Sequence, residues 1–194
     1  MHFSHGNGHK QPGGPATLAS DIASRLCDKG GMDHAPSVHS QFAHVTDWVF
    51  DLDNTLYPRE CNLFAQIDLL ISDYTTTVTG LPYAEARALQ KAEDRDPRTT
   101  LHGLMLHHGV DPDDFLKTVH AIDYSGVPAH PGLVAALAAL PGRKFVFTNG
   151  DAGHAANVLK RVGGEELFTD IFDIRSMKYQ PKPLPAAYEV FFAA

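Results

Sequence analysis

The stretch that decides the fold is Val45-Thr46-Asp47-Trp48-Val49-Phe50-Asp51-Leu52-Asp53-Asn54-Thr55. Its first half is β-branched and aromatic and runs into acidic residues, a pattern that predicts a buried strand from Val45 to Asp51. Asp51 and Asp53 then stand at the carboxyl end of that strand, where open α/β sheets bind ligands. Because side chains alternate along a strand, residues two apart point the same way, and we expect both carboxylates in one crevice.

Roughly seventy residues after this strand are predicted to be helical. Apolar residues recur at three and four positions, and Pro or Asp residues mark the helix starts. The predicted helices are one from Phe64 to Tyr74, one from Leu81 to Lys91, one from Thr100 to His108 and one from Asp111 to Ile122. Four amphipathic helices in a row predict an inserted helical bundle.

Strands and helices alternate again after the insertion. The pattern predicts a helix at Leu133 to Leu140, a strand at Lys144 to Gly150, a helix at Ala152 to Val162, a strand at Ile171 to Arg175 and a helix after Pro183. The fold class is therefore α/β, a Rossmann-like parallel sheet with an inserted four-helix cap. We assign residues 45–58 and 129–194 to the core and 59–128 to the cap. A strand-crossover-strand unit needs roughly 30 residues, so the core holds about three strands and its sheet is expected to be incomplete.

Polar residues also follow the later strands. Thr148 ends the second strand, Asn149 and Gly150 supply turn N–H groups suited to phosphate oxygens, and Lys182 follows the third strand. Taken singly, each has a structural explanation as a turn residue or a solvated lysine. Together, a carboxylate nucleophile, a hydroxyl and an ammonium at successive strand ends can stabilise a phosphoryl group in transit. Two carboxylates can also hold a hard cation such as Mg²⁺.

Composition narrows the choice of partners. The chain has 194 residues and a net charge of −7 with no basic run, which argues against nucleic acid. Its apolar runs are far shorter than the roughly 20 residues that span a bilayer, and its N-terminus lacks an apolar secretory core, so no membrane partner is expected. Two cysteines, Cys27 and Cys61, suggest a reducing compartment and a cytoplasmic location. A small phosphorylated substrate is the expected partner.

Residues 1–44 are predicted to be a flexible leader that is rich in histidine and glycine. Two interpretations are open, a metal-binding histidine tract and solvated disorder. Irregular spacing without flanking cysteines favours disorder. The histidines concerned are His2, His5, His9, His34, His39 and His44.

These motifs resemble the haloacid dehalogenase superfamily of phosphohydrolases. The segment Asp51 to Thr55 is similar to its first motif, Thr148 to its second and Lys182 to its third. Further segments of the sequence are similar to the pyrimidine 5′-nucleotidase branch of this superfamily. They lie in the segments at 53–58, 147–151 and 181–183 and in the cap element at 99–104.

The resemblance implies a catalytic scheme. Asp51 would attack phosphorus to form an aspartyl-phosphate, Asp53 would protonate the leaving oxygen and later activate water, and Thr148 and Lys182 would neutralise the phosphoryl oxygens. Mg²⁺ would bridge Asp51, the main-chain carbonyl of Asp53 and the phosphate. The implied substrate is a pyrimidine nucleoside 5′-monophosphate. Its expected contacts are Asn54, Asn149, Gly150, Thr99 and Thr100.

Two departures from the resemblance bear on activity. The acidic pair that forms the fourth motif should follow Lys182, but Glu189 is the sole carboxylate after it in this sequence. The charged segment at 93–98 stands where a glycine is expected. The sequence therefore predicts a weak or inactive, poorly soluble phosphatase whose first strand is an unpaired edge.

The sequence leaves other functions open. One is a catalytically impaired fragment or pseudoenzyme that lacks the fourth motif. A receiver-like signalling module also combines acidic residues, a threonine and a lysine on a parallel sheet, but the helical insertion argues against it. Hydrolysis of carbon–chlorine bonds needs no acid partner, and Asp53 argues against that reaction.

Overall fold

The computed structural model describes residues 42–93 and 99–194. Within them, three parallel strands form a sheet in the order β1-β2-β3. They are β1 (Asp47–Phe50), β2 (Arg143–Phe147) and β3 (Asp170–Phe172). Val49 pairs with Phe145, and Val146 pairs with Ile171. The predicted α/β class with a parallel sheet is confirmed.

Helices occupy the connections between the strands. Between β1 and β2 the described residues hold α1 (Leu63–Thr79), α2 (Tyr83–Glu93), α3 (Thr100–His108), α4 (Pro112–Val119) and α5 (Pro131–Ala139). The later helices are α6 (Ala152–Val162) and α7 (Pro185–Phe192), and short 3₁₀ turns lie at Arg59–Cys61 and Glu165–Leu167. The run of predicted helices after the first strand is therefore present. The division into core and cap at 59–128 stays a prediction.

Some predictions fall outside the described residues. These are the leader up to residue 41, with Cys27 and the histidines at 2, 5, 9, 34 and 39, and the charged segment at 94–98. Among the residues that are described, no helix has both the length and the apolar character needed to cross a membrane.

The structure corrects several predicted boundaries. The first strand is shorter than Val45 to Asp51 and is not buried: Val49 is 45% exposed, because β1 lies at the edge of the described sheet. The fourth helix ends at Val119 rather than Ile122. The third strand ends at Phe172 rather than Arg175, because the next side chain, Asp173, accepts hydrogen bonds from the Ala152 and Ser176 amides and the chain turns.

Two apolar clusters hold the elements in place. One joins the central strand to α6 through Val146, Val158 and Leu159. The other joins α3 and α4 to the sheet, with Phe115 of α4 and Phe147 of β2 in the same buried cluster. Each fully buried side chain of this size stabilises the fold by roughly 1.5–3 kcal/mol. The second cluster thereby fixes the inserted helices above the carboxyl ends of the strands.

Candidate active site

The side chains predicted at the strand ends meet at one edge of the sheet. The Lys182 ammonium donates to Asp51 Oδ1 at 2.8 Å and also to the carbonyl of Phe147, the last residue of β2. The Thr148 hydroxyl lies 3.4 Å from Asp53 Oδ2. Asp51 is half exposed, whereas the Asp53 side chain is 16% exposed. One carboxylate is therefore open to a ligand, and the other stands deeper beside it.

The side chain of Asn149 holds the main chain of Lys182 in place. The Asn149 amide donates to the Lys182 carbonyl at 3.0 Å and accepts from the Lys182 N–H at 2.7 Å. The ammonium also lies 5.0 Å from the centre of the Phe147 ring, within the range of a cation–π contact. The Asn149 side chain is thus engaged in positioning the lysine.

Asp53 accepts two short hydrogen bonds on one oxygen. His154 Nε2 and the Tyr57 hydroxyl both lie 2.7 Å from Asp53 Oδ1. Burial raises the pKa of Asp53, but the hydrogen bond and charge of His154 and the hydrogen bond from Tyr57 outweigh it, so the pKa is lowered. Burial and the neighbouring Asp53 charge raise the pKa of Tyr57. Asp53 is therefore a carboxylate at neutral pH and can accept a proton from water.

Sequence reasoning missed the histidines of this site. The His120 ring stacks on the His154 ring with centroids 4.5 Å apart, and His120 Nδ1 lies 3.1 Å from Asp151 Oδ2. Asp151 caps α6 by accepting the His154 amide at 2.7 Å. Burial raises the pKa of Asp151, but bonds from His120 and the His154 amide, with the charges of His120 and Arg175, lower it to about 2. The sequence signal that could have identified His154 is Asp151, a helix-capping aspartate three residues before it.

Gly150 lies where a side chain would not fit easily. A Cβ atom there would lie 3.0 Å from His154 Cδ2 and 3.4 Å from Thr148 Oγ1. The Gly150 N–H donates to the Thr148 hydroxyl at 3.0 Å, so this amide is engaged within the turn. A glycine at this position lets the His154 ring approach Asp53 closely.

A cavity of about 260 Å³ opens beside Asp53, between the strand ends and the inserted helices. Thr99 and Thr100 line it together with Asn149 and Gly150, so these predicted substrate contacts are brought together. Asn54 is exposed, has a φ of 55° and is not in this lining. The apolar part of the lining comes from Phe64, Ile67, Ile71, Leu101, Phe115, Leu116, Val119 and Ile174.

One of the two carboxylates of the site is suited to binding Mg²⁺. Mg²⁺ is usually held by one or two carboxylates together with substrate phosphate and water. Asp51 is a half-exposed carboxylate and fits this role, whereas the Asp53 carboxylate is engaged by His154 and Tyr57. No cluster of three or more His, Cys, Asp or Glu side chains that could hold a metal occurs in the described part of the chain. Any Mg²⁺ bound here would rely on Asp51, main-chain oxygen and the substrate.

The chain is similar to known proteins in structure and in sequence. The structure is similar to that of the HAD-hydrolase YfnB from Bacillus subtilis, reported bound to magnesium, with 16% identity and a TM-score of 0.40. That similarity covers 76% of this chain and 71% of the other. Residues 49–193 match the family model of haloacid dehalogenase-like hydrolases. This match covers most of the sequence, and the chain therefore belongs to the haloacid dehalogenase-like hydrolase family.

Proposed function

We propose that the chain is a Mg²⁺-dependent phosphomonoester hydrolase that acts through an aspartyl-phosphate on Asp51, with pyrimidine nucleoside 5′-monophosphates as substrates. The observation that carries this proposal is the 2.8 Å contact between Asp51 and the Lys182 ammonium, beside Asp53 and Thr148. A nucleophile, a cation, a hydroxyl and a second carboxylate within contact distance of one another are the groups that phosphoryl transfer requires.

The reaction proceeds in two displacements. Asp51 attacks phosphorus, the bond from phosphorus to the leaving oxygen breaks, and that oxygen takes a proton from Asp53, which is a carboxylate in the free protein and must bind this proton from solvent before the attack. Asp53, now a carboxylate, takes a proton from water as the water attacks the aspartyl-phosphate, which releases phosphate and restores Asp51. Lys182 and Thr148 neutralise the phosphoryl oxygens. Mg²⁺ would be held by Asp51 and the main-chain carbonyl of Asp53 and would supply further positive charge when bound.

The cavity supports a small, partly apolar leaving group. Its volume of about 260 Å³ lies near the lower end of the roughly 300–1,000 Å³ typical of ligand pockets. Phe64 and Phe115 contribute aromatic side chains to the lining, and Thr99 and Thr100 line the same cavity. A base with one ring needs less of this space than a base with two, and on that ground the proposal places pyrimidines ahead of purines.

Phosphate release tests the proposal. With Mg²⁺ present, we expect kcat/KM for UMP and CMP to exceed that for AMP and GMP by roughly tenfold, equivalent to about 1.4 kcal/mol. Chelation with EDTA should abolish turnover, and Asp51→Asn should reduce it to background. Asp73→Asn, an exposed carboxylate on α1, is the matched control and should leave the rate unchanged.

The covalent intermediate is tested directly. A single turnover quenched in acid and reduced with borohydride should mark the peptide that contains Asp51, as read by mass spectrometry. Phosphate release that survives in Asp51→Asn, or no release from any monophosphate, would overturn the proposal.

A further inference from the structure

We propose that His154 and Tyr57 are positioning residues that fix the Asp53 carboxylate, so that its Oδ2 atom faces the reacting phosphoryl group. The inference rests on the proposed function, because it assigns Asp53 the proton transfers of that reaction. It adds two residues to which the sequence motifs assign no role: Tyr57 lies within the segment at 53–58, and His154 lies outside the segments that carry the resemblance.

The argument starts from the asymmetry of the carboxylate. Oδ1 accepts hydrogen bonds from His154 Nε2 and the Tyr57 hydroxyl, both at 2.7 Å. For Oδ2, the described residues offer one longer contact, 3.4 Å from the Thr148 hydroxyl. The terminal torsion of an aspartate is broad, so an unrestrained carboxylate samples many orientations. Two short bonds on one oxygen remove that freedom and leave Oδ2 to exchange a proton.

His154 is itself held from several sides. Its side chain is fully buried, its Nδ1 lies 3.0 Å from the Tyr124 hydroxyl, and the His120 ring stacks on it. Because a carboxylate can only accept, Nε2 carries the hydrogen that Asp53 accepts, while the Tyr124 hydroxyl, which also donates to the His120 carbonyl at 3.1 Å, lies against the other ring nitrogen. The close approach at Gly150 restricts the same ring from another direction. The orientation of the donor to Asp53 is therefore set before any substrate binds.

Tyr57 makes the second bond from a different part of the chain. It is buried in the loop after β1, four residues beyond Asp53, whereas His154 belongs to the first turn of α6. Two donors from separate elements thus meet on the same oxygen of the residue that the reaction uses. Tyr74 provides a comparison, because its hydroxyl donates to Asp114 at 2.8 Å on the exposed side of the inserted helices.

Substrates with different leaving groups distinguish a positioning role from a purely structural one. A purely structural defect should lower kcat/KM for both substrates alike. UMP loses an alkoxide, which needs a proton, whereas 4-nitrophenyl phosphate loses a stabilised phenolate, which does not. The parameter to compare is kcat/KM, because it reports only the steps up to the formation of the aspartyl-phosphate. Loss of alignment at Asp53 should therefore lower kcat/KM for UMP much more than for 4-nitrophenyl phosphate.

The variants are Tyr57→Phe, His154→Gln and His154→Ala, with Tyr74→Phe as the matched control. A correctly placed general acid contributes roughly 10²–10⁴-fold, so we expect kcat/KM for UMP to fall about tenfold to a hundredfold in Tyr57→Phe and His154→Ala. The value for 4-nitrophenyl phosphate should fall less than about threefold, and KM for UMP should change little. A glutamine amide can reach Oδ1 as Nε2 does, so His154→Gln should recover part of the loss. Tyr57→Phe preserves volume and tests the inference even if His154→Ala does not fold.

The outcomes separate the two proposals. Wild-type protein that releases no phosphate from either substrate overturns both. Active wild-type protein with equal losses on the two substrates in Tyr57→Phe, or with no loss, overturns the positioning role and leaves the proposed function standing. A selective loss on UMP that is absent in Tyr74→Phe supports the inference.

Discussion

Replacing Asp151 by asparagine should destabilise the fold by an amount that depends on pH. Asp151 is 7% exposed, caps α6 through the His154 amide, and lies 3.1 Å from His120 Nδ1 and 3.7 Å from an Arg175 nitrogen. Asparagine can accept the same capping bond, since both residues are good helix caps. The substitution therefore removes the negative charge while the cap is kept.

The lowered pKa of Asp151 gives the size of the destabilisation expected for Asp151→Asn. Its pKa falls from the ordinary value of 3.8 to about 2, and each pH unit corresponds to about 1.4 kcal/mol, so loss of the charge costs at most about 2 kcal/mol, since asparagine keeps the bond from the His154 amide. Because the pKa is lowered on folding, this stability is fully present above pH 4–5 and is lost as the pH falls toward about 2. The difference in free energy of unfolding between wild type and Asp151→Asn should therefore be largest near neutral pH and should shrink in acid.

Urea denaturation followed by fluorescence measures this difference. Trp48 is the single tryptophan of the chain and donates to the Pro141 carbonyl, so its emission should report on unfolding of the sheet. Asp73→Asn serves as the control, because Asp73 is exposed on α1 and should show little difference at any pH. A difference for Asp151→Asn that is absent at pH 7, or that grows as the pH falls from 5 to 3, would refute the reasoning.

Three further substitutions probe the site. Lys182→Met keeps the apolar stem but removes the ammonium beside Asp51, and kcat/KM for UMP should fall roughly a hundredfold; a loss of less than threefold would contradict its role. Gly150→Ala places a methyl group 3.0 Å from His154 and should cost about 1–3 kcal/mol in thermal unfolding as well as lower kcat; an unchanged protein would show that the loop adapts. Phe64→Ala removes a cavity wall that is 48% exposed, so KM for UMP should rise several-fold with little change in melting temperature; an unchanged KM would place the base elsewhere.

Local signals account for the parts of the fold that the sequence predicted well. The helix at Ala152–Val162 was predicted with these bounds, because Asp151 caps its start and Gly163 adopts a positive φ at its end. The helix at Thr100–His108 likewise ends at a glycine in the left-handed region, Gly109. Such signals lie within a few residues of the boundary that they set, so a sequence displays them directly.

Contacts between distant residues account for what was missed. The third strand stops at Phe172 because the Asp173 carboxylate binds the Ala152 amide, 21 positions away. His154 reaches Asp53 across 101 positions, and no local pattern announces that pairing. The candidate residues at 51, 148 and 182 were predictable from their order at strand ends, whereas the groups that orient them emerge from packing.

The bonds between Asn149 and Lys182 have a consequence for how the site meets its substrate. An amide side chain that donates to the carbonyl and accepts from the N–H of one residue reproduces the pairing between neighbouring strands, two residues beyond the end of β2. The sheet's hydrogen bonding is in effect continued by a side chain into the loop that carries the lysine. That loop is therefore already ordered in the folded protein. An anion that binds to Lys182 does not have to offset the entropy cost of immobilising the lysine's backbone.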